Sequence, residues 1–335
     1  MGKIICIGSA CKDIFFPTSE GKVLETPEDL LCQEKIVFEL GAKYKIEERF
    51  EALGGCAANV AVGLVKLGLE AGCYSKLGGD VAGKWIKETL EKDGVGTELV
   101  KTENNFPSDL SAIVVDATSG DRVIFSNQKV NETLEIIPEE IKNAEWFFVG
   151  DLQGDWENKL EKVFAVAKEN NIRVASNPRQ INIHDNPQKV LEFISKSEAL
   201  FINKDETIEV LSATGEKYSP EELENELFLI KKLKNLGPKV VALTDGKRGA
   251  WATDGEKVIH APALTTDAKD TTGAGDAFCS GFLSAYIKSK NLEECLIWGI
   301  ANGASSVDFY GGTEGLLNEV DIIKMVGDVK VEEII

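Results

Sequence analysis

Apolar and polar positions follow two different rhythms along the 335-residue chain. In the larger part, short continuous apolar runs alternate with stretches of 3.6-residue periodicity. The segments Lys3–Gly8, Gly72–Lys76, Trp146–Val149, Ile172–Ser176, Ala199–Ile202 and Lys239–Leu243 read as strands buried on both faces. Val60, Leu64 and Leu67 recur at spacings of four and three ahead of Gly68, which predicts a helix closed by a glycine cap. Further helices are expected over Asp80–Lys92, Glu157–Asn170, Pro187–Ser195, Glu221–Leu236, Gly275–Lys290 and Leu292–Phe309. Apolar strands alternating with helices predict an α/β core: a mainly parallel sheet in three layers, covered by helices on both faces.

The second rhythm has period two. It runs through Lys35–Leu40, Lys43–Glu48, Ala112–Asp116 and Arg122–Ser126, with a Ser119-Gly120-Asp121 turn between the last two. Such alternation marks strands with one wet face, and the turn marks a hairpin. These stretches predict a small sheet outside the core. The expected organisation is a discontinuous core of residues 1–13, 51–110 and 127–335, with a β-sheet lid from 14–50 and 111–126.

Composition narrows the partners. The net charge of −19 speaks against nucleic acid and anionic membrane as partners, though a local backbone site can still bind a small anion. No apolar run approaches the ~18 residues of a membrane span, and the opening MGKIICIG reads as a strand and not as a leader. Seven cysteines without a CxxC pair, and two histidines remote from them, give no zinc pattern and fit free thiols in a reducing cytoplasm.

The chemistry concentrates in Asp270-Thr271-Thr272-Gly273-Ala274-Gly275-Asp276-Ala277-Phe278. Phe278, Phe282, Ala285 and Tyr286 share a helical face, so Gly273, Ala274 and Gly275 open a helix whose unpaired N–H groups suit an anion. Asp276 is out of place in a site built only for phosphate. Either it accepts a proton from a hydroxyl that attacks phosphorus, or it merely caps the helix. Gly54 and Gly55 precede a second helix, with Asn59 in its first turn; a ligand contact and an ordinary turn both fit. Asp13 follows the first strand, where a carboxylate suits sugar hydroxyls or its own backbone. In Gly78-Gly79-Asp80-Val81-Ala82-Gly83-Lys84-Trp85, Trp85 replaces the hydroxyl a P-loop needs, and no GxGxxG follows the first strand.

Together these segments resemble the ribokinase-like carbohydrate kinases, the PfkB family. The likeness rests on Asp270–Phe278, on Gly54-Gly55-Cys56-Ala57-Ala58-Asn59-Val60-Ala61 with Leu67-Gly68, Gly79-Asp80 and Gly83, on Asn203-Lys204-Asp205-Glu206, and on Thr244-Asp245-Gly246 with Gly249. It implies a ribokinase-like, Rossmann-type core with a β-sheet lid and an ATP-dependent kinase of a sugar hydroxyl. A nucleoside kinase is the alternative, and a non-catalytic sugar or nucleotide sensor a more distant one. By this resemblance Asp276 is the base and Gly273, Ala274 and Gly275 form the anion hole. Asp13, Gly54, Gly55 and Asn59 hold substrate. Asn203 and Glu206 support Mg²⁺ and phosphates, Thr244, Gly246 and Gly249 flank ATP, and Asn302 lies near adenine. Asp270 and Thr272 match positions that bind a monovalent cation, K⁺, in many members. Cys56 departs from the lysine of ribose kinases. Arg122 and Arg179 stand where contacts vary with substrate, or form salt bridges at the lid or surface. A homodimer through the lid is a further expectation, since exposed sheet edges invite partners.

Overall fold

The computed structural model describes residues 3–25, 34–118, 122–266 and 268–334. Nine strands form the central sheet. From one edge the order is Glu332–Glu333, Val258–Ala261, Ala250–Thr253, Val240–Thr244, Ala199–Asn203, Arg173–Ser176, Trp146–Val149, Ile4–Ile7 and Ala71–Tyr74. The six strands from Ala71–Tyr74 to Val240–Thr244 are parallel, and the remaining three join antiparallel.

Strand alternation explains the layering. Ile4 and Cys6 point to one helical layer and Ile5 and Ile7 to the other, and all four are buried. The first layer contains the helices Cys56–Lys66, Ala274–Ile287 and Leu292–Ser306. The second contains Trp156–Asn170, Pro187–Ile194 and Glu226–Asn235. The stretch expected as one helix over 221–236 is two, Pro220–Leu223 and Glu226–Asn235. Asn225 interrupts it because its side chain accepts from the Phe228 amide and caps a fresh helix start.

The small sheet has four strands in the order Arg122–Asn127, Leu110–Asp116, Cys11–Thr18 and Phe50–Gly54. Arg122–Asn127 and Leu110–Asp116 pair antiparallel as the alternation predicts; their turn, Ser119-Gly120-Asp121, lies outside the described residues. Phe15, Ala52, Ile113 and Val115 make this sheet's own apolar core, capped by Tyr310. Its strands begin and end deeper than the alternation suggested: residues 11–13, 51–54 and 110 belong to it, so Asp13 lies on this sheet. A separate hairpin pairs Lys22–Glu25 with Glu34–Val37. Lys43–Glu48, expected to be a strand, has no regular structure: nearly all of it is exposed, and no apolar face fixes it against a neighbour.

Candidate active site

Local backbone chemistry builds the centre of the site. Gly273 is the N-cap of Ala274–Ile287 at φ 78°, a left-handed conformation, and a Cβ there would clash with Gly312 Cα. The Ala274 amide donates to Thr271 O at 3.3 Å, whereas the Gly275 and Asp276 amides have no partner among the described residues. A Cβ on Gly275 would enter open space. The helix therefore offers two free N–H groups at its positive end to whatever approaches.

Asp276 sits in that first turn. Asn59, from the helix Cys56–Lys66, donates through Nδ2 to Asp276 Oδ2 at 2.9 Å and leaves the other carboxylate oxygen unbonded. Asn59 is itself buried, and its Oδ1 has no partner. Gly55 places this second helix: it is the N-cap at φ 92°, and a Cβ on it would meet Ser9 O at 2.6 Å.

Two cavities open beside the turn and share Thr244, Thr271, Gly275 and Phe278 as walls. The first, about 580 Å³, is lined largely by polar groups: Asp276, Asp151, Arg179, Arg122, Asn203 and Glu206 among them. The second, about 620 Å³, is lined by Gly246, Gly249, Leu264, Ile300, Gly303 and Val307 among others, and Lys247 is the charged side chain among its described lining residues.

Of the other expected residues, Asn203, Glu206, Thr244, Gly246 and Gly249 line these cavities, whereas Asp13, Gly54, Gly55, Asn59, Asp270 and Thr272 do not. Asp13 is buried on the small sheet beside Gly54, whose missing Cβ leaves room for the Asp13 carboxyl. Burial pushes the Asp13 carboxyl up, with Asp270 and Asp276 adding to the effect against hydrogen bonds from Ser111 and Cys11. Asn203 and Glu206 form a capping box on Lys204–Ser212: the Glu206 amide donates to Asn203 Oδ1 at 2.8 Å and the Asn203 amide to Glu206 Oε2 at 3.2 Å. Burial raises the Glu206 carboxyl to about 7. Thr244, Gly246 and Gly249 line the second cavity.

Asn302 is likewise buried and lines neither cavity. Its amide donates to Ala277 O and Ser280 Oγ and its oxygen accepts from the Leu317 amide, so it braces the helix that carries Asp276. Its neighbours Ile300 and Gly303 take the place beside the cavity.

Asp270 is fully buried, and its two oxygens accept from the Thr272 amide at 2.9 Å and the Gly311 amide at 3.0 Å. Arg122 Nε stands 4.0 Å from Asp270 Oδ1, while its Nη1 donates to Thr271 Oγ1. A carboxylate that already accepts an amide on each oxygen and faces a guanidinium has less negative charge to offer another cation. Thr272 Oγ1, buried and unpartnered, is the one feature in favour of it.

Asp151 was not singled out in the sequence. It is buried at the end of the strand Trp146–Val149 and holds Ser9, Gln128 and Gln153. Its signal was available: an acidic residue just past the carboxyl end of a buried parallel strand, where ligand crevices form.

A family profile described as "pfkB family carbohydrate kinase" matches residues 31–318, most of the chain. The chain belongs to the pfkB family of carbohydrate kinases. These are phosphotransferases with an alcohol acceptor. An "ATP-dependent 6-phosphofructokinase" from Thermoanaerobacterium thermosaccharolyticum is 27% identical over 95% of this pfkB chain and 97% of that enzyme. An "Uncharacterized sugar kinase" from Archaeoglobus fulgidus is 28% identical over 78% of this chain and all of its own. The solved nucleoside kinase of Methanocaldococcus jannaschii, described as an archaeal member of the ribokinase family, superposes with a TM-score of 0.76 at 23% identity, covering 98% of this chain and 99% of its own. That last likeness supports the ribokinase fold. Among the described residues no helix is long and apolar enough to cross a membrane.

Proposed function

We propose that the protein transfers the γ-phosphoryl group of ATP to a hydroxyl of a sugar, with Asp276 as general base. The observation that carries this reading is the placement of Asp276. One oxygen is fixed by Asn59 and the other is free, the carboxylate faces a polar cavity, and two unbonded amides lie in the same turn. Asp276 takes the proton of the attacking hydroxyl, and the Gly275 and Asp276 amides stabilise charge on the transferred group. The apolar, glycine-rich second cavity suits a nucleotide, with Thr244, Gly246 and Gly249 beside it. Glu206 fits a role beside magnesium. Its Oε1 remains unbonded, and burial, with Glu209 and Asp205 adding to it, raises its carboxyl despite the Arg179 guanidinium, so a further cation would be favoured there. A magnesium ion there would offset polyphosphate charge, with Asn203 and Glu206 holding it through water. The donor set around Asp270 gives no reason to assign a step to a monovalent cation.

The acceptor cavity favours a sugar over a nucleoside. Gln128, Asp151, Gln153, Asn177 and Gln180 give it hydrogen-bonding walls, whereas a base wants an apolar slot. Asp13 and Asn59 hold acceptor hydroxyls in this reading, and the small sheet acts as the lid that excludes water. The test is ADP release from ATP over a panel of sugars and nucleosides. Turnover confined to nucleosides would reject the sugar assignment, and no transfer to any acceptor would reject the kinase reading.

The lid also supports pairing of two copies. Val123, Ile124 and Phe125 are exposed on its edge strand, and Val23, Leu24 and Val37 on the adjoining hairpin. Sedimentation at micromolar concentration should give a dimer that Phe125→Ser weakens; a monomeric wild type rejects it.

A further inference from the structure

Two arginines line the acceptor side, and one of them, Arg179, lacks the partners a structural arginine would have. Arg179 lies three residues beyond the strand Arg173–Ser176 and lines the cavity that Asp276 faces. Among the described residues no carboxylate closes an ion pair with it, and its side chain makes no hydrogen bond. Burial opposes its charge, which Asp151, Asp276 and Glu206 sustain from a distance. Asp151 is not free to pair with it. Its Oδ2 accepts from Ser9 Oγ at 3.2 Å and Gln128 Nε2 at 3.3 Å, and its Oδ1 from Gln153 Nε2 at 2.6 Å. Arg122 reaches the same cavity from the small sheet. Its Nη1 donates to Thr271 Oγ1 and it pairs loosely with Asp270 at 4.0 Å, but its Nε is buried without a hydrogen bond.

A guanidinium's planar fork matches carboxylate and phosphate, and one held half-buried with no fixed oxygen is open to such a group. Arg179, with Arg122 on the same cavity, in a chain of net charge −19, forms a local site for an oxyanion. Neither arginine lines the nucleotide-side cavity. We propose that the acceptor sugar carries an anionic group, a phosphate or a carboxylate, which Arg179 and Arg122 bind while a free hydroxyl of the same molecule faces Asp276. The inference rests on the kinase reading of this site. In the step it serves, the acceptor oxygen forms a bond to the γ-phosphorus and the bond to the β-phosphate oxygen breaks. The hydroxyl proton passes to Asp276, and ADP leaves.

If the arginines only offset the nearby acids, a neutral sugar would serve equally well. The test uses the full chain and its Arg179→Gln and Arg179→Lys variants, with fructose, fructose 6-phosphate and gluconate as probes. Both kcat/KM with ATP and calorimetric binding without ATP are measured. The wild type is expected to prefer one anionic probe over fructose by about a hundredfold. In Arg179→Gln that preference falls at least tenfold (roughly the loss of one charged contact), mainly through KM, and Arg179→Lys restores part of it. Phosphate and carboxylate are told apart by which probe is preferred. A wild type that favours fructose, or an Arg179→Gln loss equal for neutral and anionic probes, overturns the inference and leaves the kinase reading standing. If no probe is phosphorylated but an anionic one binds more tightly than fructose, and Arg179→Gln abolishes the difference, the inference stands and the kinase reading falls.

Discussion

The two cavities beside the Gly273–Gly275 turn are of similar volume and opposite construction. The cavity proposed for the nucleotide is lined by glycines, apolar side chains and threonines, with Lys247 at its wall. The acceptor-side cavity is made of charged and amide side chains from the small sheet and the ends of several core strands. The first suits a ligand recognised by shape and by phosphates on main-chain amides. The second suits a ligand recognised group by group. One helix start serves both, so chemistry at the shared turn is separable from selectivity at either side.

The sharpest way to break this division is at the turn itself. Asp276→Asn should lower kcat by about 10²–10⁴-fold while calorimetric ATP binding holds, because the nucleotide-side lining is untouched. A variant with near-normal kcat would remove the base assignment. The two glycines should then part company. Gly273→Ala puts a side chain at φ 78° against Gly312 and should cost about 2–4 kcal/mol of stability by denaturant unfolding. Gly275→Ala meets no protein atom within 4 Å. Its stability should change by less than about 1 kcal/mol, yet its methyl enters the path of the phosphates and kcat should fall roughly tenfold or more. Equal stability losses in the two variants would contradict the geometry.

The passage into the small sheet offers a pH test. Asp109 is buried, accepts from the Val130 amide at 3.0 Å, and has its carboxyl raised by burial from 3.8 to about 7. The folded state therefore binds this proton more tightly than the unfolded state. The penalty is full above about pH 7 and is relieved as pH falls from there towards 4. Asp109→Asn should remove that pH dependence and gain on the order of 2–4 kcal/mol at pH 8. An unchanged difference between wild type and variant from pH 5 to pH 8 would refute it. The smallest effect is expected from the cation. Because Asp270 already accepts two amides and faces Arg122, replacing sodium by potassium should change kcat by less than about twofold.

What the sequence disclosed follows the same division. Glycines that permit a left-handed cap or a close approach are fixed by backbone geometry, so Gly55 and Gly273 were visible without a fold, while Gly246 and Gly249 entered only through the family resemblance. The parallel core was visible because its strands are apolar throughout. Asp151, and the freedom of Arg179 from any fixed partner, were not: those properties depend on which strand ends converge. Asn302, placed near adenine by the resemblance alone, commits its amide to Ala277, Ser280 and Leu317, a set of partners that only the packed helices reveal. The small sheet's limits were misjudged because residues 11–13 alternate too briefly to be told from the end of a core strand.

Ser9 and Gln128 lie on two different connections between the small sheet and the core, and both donate to the same oxygen of Asp151. A tilt that pulls on one connection and not the other must leave that oxygen with an uneven pair of donors. The carboxylate stretch of a carbon-13-labelled Asp151 would then shift with the tilt, giving infrared spectroscopy an internal gauge of closure that needs no dye and no labelled ligand.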